Sequence, residues 1–245
     1  MANWSDPRGQ ATAYGTTGTI DTATDAGLRS YMLRVYNTMA SGVLLSGIVA
    51  MAFSQTDFAQ AMAAGQGGAL SWIIILAPLA FVMVLSFGIN RLSTAAAQAL
   101  FWTFATVMGL SMSTLLIRFT GESVATAFFA TTAAFIGLSL FGYTTKRNLS
   151  GFGTFLVMGV VGILVAMLLN MFIFQSSAMA LVISILGVLI FAGLTAYDTQ
   201  MIKETYYQVR GTDFVGKAVI MGALNLYLDF VNMFQFLLSI IGNRE

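Results

Sequence analysis

Two carboxylates lie where so apolar a chain would be expected to have none. Asp229 sits in "LNLYLDFVNMFQFLL" (224–238) and Asp198 in "LTAYDTQMIK" (194–203), both within stretches apolar enough to cross a bilayer. An ionised carboxylate at the bilayer centre costs about 3 kcal/mol or more, so such residues face the bundle interior or water. Asn225, Asp229 and Asn232 are spaced i, i+4, i+7 and share one helical face, which is predicted to point inward. Phe230, Phe234 and Leu237 are left for packing or lipid. Tyr197 and Tyr227, each near an aspartate in sequence, are candidate hydrogen-bond partners. Along straight helices the two aspartates fall about 10–15 Å apart in depth. A seventh helix starting outside the membrane, or a tilted or broken one, would close that gap, and the loop 202–217 is long enough for either. If the carboxylates meet, both cannot ionise cheaply; they would share a proton and titrate in two coupled steps. That would be a pH sensor built without histidine. Two plainer roles stand beside it: Asp198 as an interfacial residue capping its helix, and Asp229 as a structural carboxylate bonded to its Asn and Tyr neighbours. Arg91 is either a basic residue at a hairpin turn or an inward-reaching partner for an aspartate.

The elements that must position these residues follow from composition. The 245 residues are 58% hydrophobic and 9% charged, with a mean hydropathy of +0.83, whereas soluble domains carry about 25% charged residues. A net charge of +1 offers no basic face for nucleic acid. With no Cys and no His, disulfides, a Ser-His-Asp triad and an H-E-x-x-H zinc site are all excluded, and no resident cofactor is expected. A membrane helix needs about 20 apolar residues, and seven stretches qualify: 31–53, 70–90, 95–117, 122–144, 151–174, 178–201 and 218–241. The expectation is an all-α, polytopic seven-helix bundle over 26–245, preceded by a disordered cytoplasmic tail, 1–25, that ends at Asp25 as a helix N-cap. The tail lacks the basic start and apolar core of a signal peptide.

Orientation follows from Lys and Arg, which are in excess in cytoplasmic loops. Arg8, Arg29, Arg34, Arg91, Lys146, Arg147, Lys203, Arg210 and Lys217 fall on one side; Arg118 and Arg244 fall on the other. The N-terminus is therefore expected in the cytoplasm. Gly42 and Ser46, Gly162 and Ala166, and Ala192 and Ala196 have the small-xxx-small spacing of close helix packing. Arg118 and Glu122 are expected to form an exposed ion pair, Asn170 to bond a neighbouring helix, and "AAGQGG" (63–68) to be an external loop.

The stretches "YDTQMI" (197–202) and "LYLDFVNMFQFLL" (226–238), in this order in the last two spans, resemble the Bax inhibitor-1 family of bacterial kind. "FWTFATVMGLSMSTLL" (101–116) is similar to the family's third span but lacks the Gly-Pro of many members. The resemblance implies six helices around a central, very hydrophobic sixth or seventh helix, and activity as a pH-sensitive calcium leak. It implies that Asp198 and Asp229 form a hydrogen-bonded pair with which Arg91, the only basic residue suitably placed, can exchange partners. Calcium, a hard cation that prefers oxygen ligands, would be the transported ion on Asp198 and Asp229. Some bacterial members restrain a membrane-anchored ATP-dependent (AAA) protease, so a regulatory scaffold acting through the tail and the loop 202–217 is the alternative. An intramembrane aspartyl protease is disfavoured because no glycine precedes Asp229 in "YLDFV", and a light-driven pump because the seventh span has no lysine. The bacterial inner membrane is the expected location, and oligomeric state is left open.

Overall fold

The computed structural model describes residues 17–243, with side chains placed from 26 to 243. The order is α1 (Thr17–Ser54), α2 (Asp57–Ala63), α3 (Gly68–Gly88), α4 (Thr94–Arg118), α5 (Gly121–Thr144), α6 (Ser150–Leu169), a π-helical turn (Asn170–Phe174), α7 (Ser177–Val209) and α8 (Val215–Ile241). All but α2 and the π-helical turn form the seven helices long and apolar enough to cross a membrane, with α6 and the π-helical turn making one span and the first span counted from Ala26. Backbone amides in lipid can be satisfied only within a helix or closed sheet, so the chain is an all-α polytopic membrane protein. α1 starts at Thr17 rather than at Asp25, because no glycine or proline interrupts it between Thr19 and Ala26. Residues 1–16 of the expected tail lie outside the described residues.

α8 is the centre of the bundle. It packs against α1, α4, α5 and α7, whereas α3 packs chiefly on α4 and α6 chiefly on α7. Half of α8's most apolar window is buried, more than in any other span. The central helix is thus the seventh span, and it is not the most apolar one. The outer spans α3 and α6 are among the most apolar, as they must be where their sides meet acyl chains, while the centre can carry polar groups.

Close helix approach sorts the small residues. A β-carbon at Gly109 would lie 2.6 Å from the Ser46 carbonyl oxygen, and one at Gly142 would collide with the Ala196 backbone. The Gly42–Ser46 and Ala192–Ala196 pairs therefore mark real crossings. Gly162 faces open space instead, because α6 is peripheral and this side of it faces outward.

Pro78 interrupts α3, removing the N–H that would bond the carbonyl four residues earlier. The Ser111 hydroxyl of α4 donates to that carbonyl, Ile74 O, at 2.6 Å. Ser111→Ala is expected to leave this acceptor unpaired in an apolar setting and to lower stability by about 1–2 kcal/mol, read as a lower unfolding temperature in detergent.

The basic loops gather at one end. Lys203 Nζ donates to Tyr143 O at 2.9 Å, Gln200 Nε2 to Arg147 O at 2.8 Å and Lys217 Nζ to Asn90 O at 3.5 Å. Arg118, at the opposite end, donates to Ala63 O at 3.0 Å rather than pairing with Glu122, because α2 folds back beside it. Asn170 also stays local: its Oδ1 accepts from Ser176 N at 3.0 Å, closing the turn into α7. Gly65 and Gly68 in the expected loop have φ of +76° and +63°, a backbone that suits glycine.

Candidate functional site

The stretch 202–217 is mostly helix. Nothing before Gly211, at φ +79°, stops α7, so "KETYYQV" prolongs it and α8 begins at Val215. This places the aspartates in depth. Asp198 is eleven residues before the end of α7 and Asp229 fourteen after the start of α8, about 16 and 21 Å respectively at 1.5 Å per residue. Side-chain packing gives the same register: Gly222 meets Ile202, and Gly187 meets the Phe236 ring. Asp198 therefore lies opposite residues 225–226, and Asp229 is about 5 Å farther from the basic end. The expected gap of 10–15 Å closes because both helices extend beyond their apolar segments.

Residues 222, 229 and 236 repeat every seven and share the face of α8 that meets α7. Side chains tilt toward the N-terminus of their own helix, so in this antiparallel pair the two carboxyl groups tilt toward each other. Asp229 is 3% exposed, and its Oδ2 has no hydrogen-bond partner. Asp198 is half-buried and close enough for its charge to act on Asp229. No hydrogen bond joins the two among the described residues. Nor does a group of three or more Asp, Glu, His or Cys gather there. Any cation would meet two carboxylates and neutral oxygens.

Neither tyrosine serves the aspartates. Tyr227 is fully buried and turned toward α1 and α4, its hydroxyl 2.6 Å from Ser46 Oγ and its ring edge-on to Phe104 at 5.1 Å. Ser46 Oγ in turn lies 2.7 Å from Ala105 O, so Tyr227 donates to Ser46 when Ser46 donates to that carbonyl. The spacing of Gly42 and Ser46 marks the crossing, but nothing near Tyr227 in the chain signals this joint between α1, α4 and α8. The Tyr197 ring packs where a β-carbon of Gly153 on α6 would stand. Tyr197 follows its own face of α7, which turns away from α8.

The amides also divide. Asn225 is exposed and Asn232 half-buried, with its Nδ2 bonded to Leu228 O at 2.8 Å. The expected inward face is instead the edge of α8's uncovered side, and Phe230 and Phe234 fill the interior against Phe128 and Phe135 of α5. Arg91 is exposed at the α3–α4 turn. The Lys217–Asn90 contact puts this turn beside residue 217, about 18 Å along α8 from Asp229, beyond the reach of an arginine side chain.

The "YDTQ" segment also holds the fold around Asp198. Thr199 Oγ1 donates to Thr195 O at 2.7 Å. Gln200 uses both ends of its amide on the α5–α6 loop: Leu149 N donates to its Oε1 and its Nε2 donates to Arg147 O, both at 2.8 Å. Gln200→Ala is expected to leave both loop groups unpaired, lowering stability by about 1–3 kcal/mol and raising hydrogen exchange at Leu149.

Residues 28–245 match the family described as Inhibitor of apoptosis-promoting Bax1. The chain is 46% identical over 235 residues to an uncharacterized protein of Caulobacter vibrioides, covering 92% of this chain and 93% of that one. It is 42% identical to the inner membrane protein YbhL of Escherichia coli K12, over 90% of this chain and 94% of the relative. An uncharacterized protein of Rickettsia prowazekii is 41% identical over 90% and 92% of the two chains.

Proposed function

The chain belongs to the Bax inhibitor-1 family of membrane proteins, and from that premise we propose that it is a pH-sensitive calcium leak, with Asp198 and Asp229 handling the ion. The observation that carries this reading is Asp229 itself: a carboxyl group at the centre of a seven-helix bundle, buried, with an oxygen that no protein group satisfies. A buried acceptor without a partner is costly. A proton or a cation relieves that cost, and Asp198 close by makes the two compete. When the pair holds a proton it needs no cation; when it has lost the proton, a hard divalent ion is the favoured counter-charge. Protonation thus biases the site between two states. With Arg91 out of reach, the carboxylates alone carry the sensing in this conformation.

The basic end faces the cytoplasm by the distribution of Lys and Arg, and the kinship with YbhL supports the bacterial inner membrane as the location. The deciding experiment is calcium flux into liposomes holding the purified protein, from about pH 6 to 8, followed across the range for the two coupled steps of a carboxyl pair that shares a proton. Flux above that of empty liposomes that changes with pH supports the leak; flux equal to theirs overturns it.

A second reading, a scaffold that restrains a membrane-anchored AAA protease, is favoured by the end of α7. There Lys203, Glu204, Tyr207 and Arg210 project beyond the apolar span at the basic end, with Tyr207 44% exposed. Loss of protease binding with unchanged flux on altering this segment would support it.

A further inference from the structure

α8 carries a polar stripe that the aspartate pair does not use. Asn225 and Ser239 are exposed, and Asn232 and Gln235 are half-buried. Their spacings of seven, three and four residues keep them on one side of the helix. That side is the uncovered one. α7 covers the flank at Gly222 and Phe236, the α3–α4 turn covers the flank at Lys217, and α4 and α7 make no substantial contact across the space between. Asn225 and Asn232 bracket the middle of α8, a depth at which an amide turned to acyl chains is costly.

Each end of the stripe meets a separate polar feature. Asn225 stands opposite Asp198 in the α7–α8 register. Ser239 lines a cavity of about 550 Å³ at the far end, together with Gln60, Ala63, Arg118 and Phe119. Two of the stripe's side chains turn their donors back onto the helix: Asn232 Nδ2 on Leu228 O at 2.8 Å, and the Ser239 hydroxyl on Gln235 O at 2.9 Å. Asn232 Oδ1 and the Ser239 oxygen lone pairs remain for whatever occupies the space.

We infer that this stripe lines a hydrated crevice between α4 and α7, and that the crevice is the cation's route between the carboxylates and the side opposite the basic end. The cation's passage rests on the leak reading; the hydration of the crevice does not. Oxygen acceptors spaced along a helix let a hard cation exchange part of its water shell at each step. Arg118, bonded to Ala63 O at 3.0 Å, places a positive charge at the mouth that restrains cation entry.

The natural chain has no cysteine, so single thiols test the route directly in otherwise unaltered protein. Asn225→Cys, Asn232→Cys and Ser239→Cys are treated in proteoliposomes with a small, charged methanethiosulfonate reagent, with the 48% exposed Leu186 of α7, as Leu186→Cys, for a lipid-facing control. The reactive species is the thiolate, which needs water, so the three stripe positions should react about tenfold faster than the control. Labelling Asn232→Cys should also block calcium flux. Reaction at the control rate overturns the crevice. So does disulfide-linked dimer formation through these positions without labelling, which would make the stripe an interface between copies of the chain. If unlabelled wild-type protein carries no flux, the leak reading fails by itself, and labelling still decides whether the crevice is hydrated.

Discussion

Asp229→Asn is expected to abolish the pH dependence of calcium flux, and Asp229→Leu is expected to make the protein more stable. The two results belong together. If Asp229 were a structural carboxylate, removing it would break hydrogen bonds and lower stability. Its Oδ2 has no partner, however, and the residue is 3% exposed. A buried unsatisfied polar group costs about 1–3 kcal/mol, and exchanging buried charged groups for apolar ones is often neutral or stabilising. Asp229→Leu should therefore raise the unfolding temperature by a few degrees, at about 2–4 °C per kcal/mol for a chain of this size. Asparagine keeps the shape and a ligand oxygen but cannot titrate, and Asp198 is left with no carboxyl partner with which to share a proton, so flux through Asp229→Asn should be level across the same pH range. A fall in the unfolding temperature of Asp229→Leu, together with wild-type flux from Asp229→Asn, would return Asp229 to a structural role.

The largest loss of stability is expected at Gly142. A β-carbon there meets the carbonyl and Cα of Ala196, and backbone cannot move aside as the end of a flexible side chain can. Gly142→Val should force α5 and α7 apart and destabilise the protein by about 3 kcal/mol. The shift falls on the turn of α7 that carries Asp198, so flux should fall along with the unfolding temperature. Gly162→Val is the control. Gly162 faces open space on α6, and the change should stay within about 0.5 kcal/mol. Equal effects of the two substitutions would mean that the α5–α7 crossing is not the close one described.

Nothing in the local sequence separates Gly142 from Gly162. Both are glycines within apolar spans, and Gly162 even has the small-xxx-small spacing with Ala166 that Gly142 lacks. The same limit applies to the amides of α8. Their i, i+4, i+7 spacing established that Asn225, Asp229 and Asn232 share a side, but that α7 covers Asp229 and leaves Asn225 open depends on where neighbouring helices end. Tyr227, beside an aspartate in the chain, bonds Ser46 on α1 because 200° of helical rotation separates it from the face of Asn225. The depth of Asp198 differs from the sequence expectation for a related reason. Hydropathy detects where a helix leaves the membrane and not where it stops, so the polar "KETYYQV" has the composition of a loop although it continues α7.

Sequence alone is enough to read an all-α membrane protein of seven spans, which of its ends is basic, and which two carboxylates lie within its apolar spans. Each of these rests on a free energy that accumulates locally: the transfer of about 20 apolar residues into lipid, or the cost of one acid among them. It takes the packed bundle to see that α8 is the central helix, that Asp198 and Asp229 lie about one helical turn apart, that Arg91 is remote from them, and that a polar stripe runs from the level of the pair to the far side. Those features depend on how helices cross and in what register. Register is set by contacts such as Gly222 with Ile202 and Gly142 with Ala196, between residues distant in the chain whose pairing no local pattern encodes.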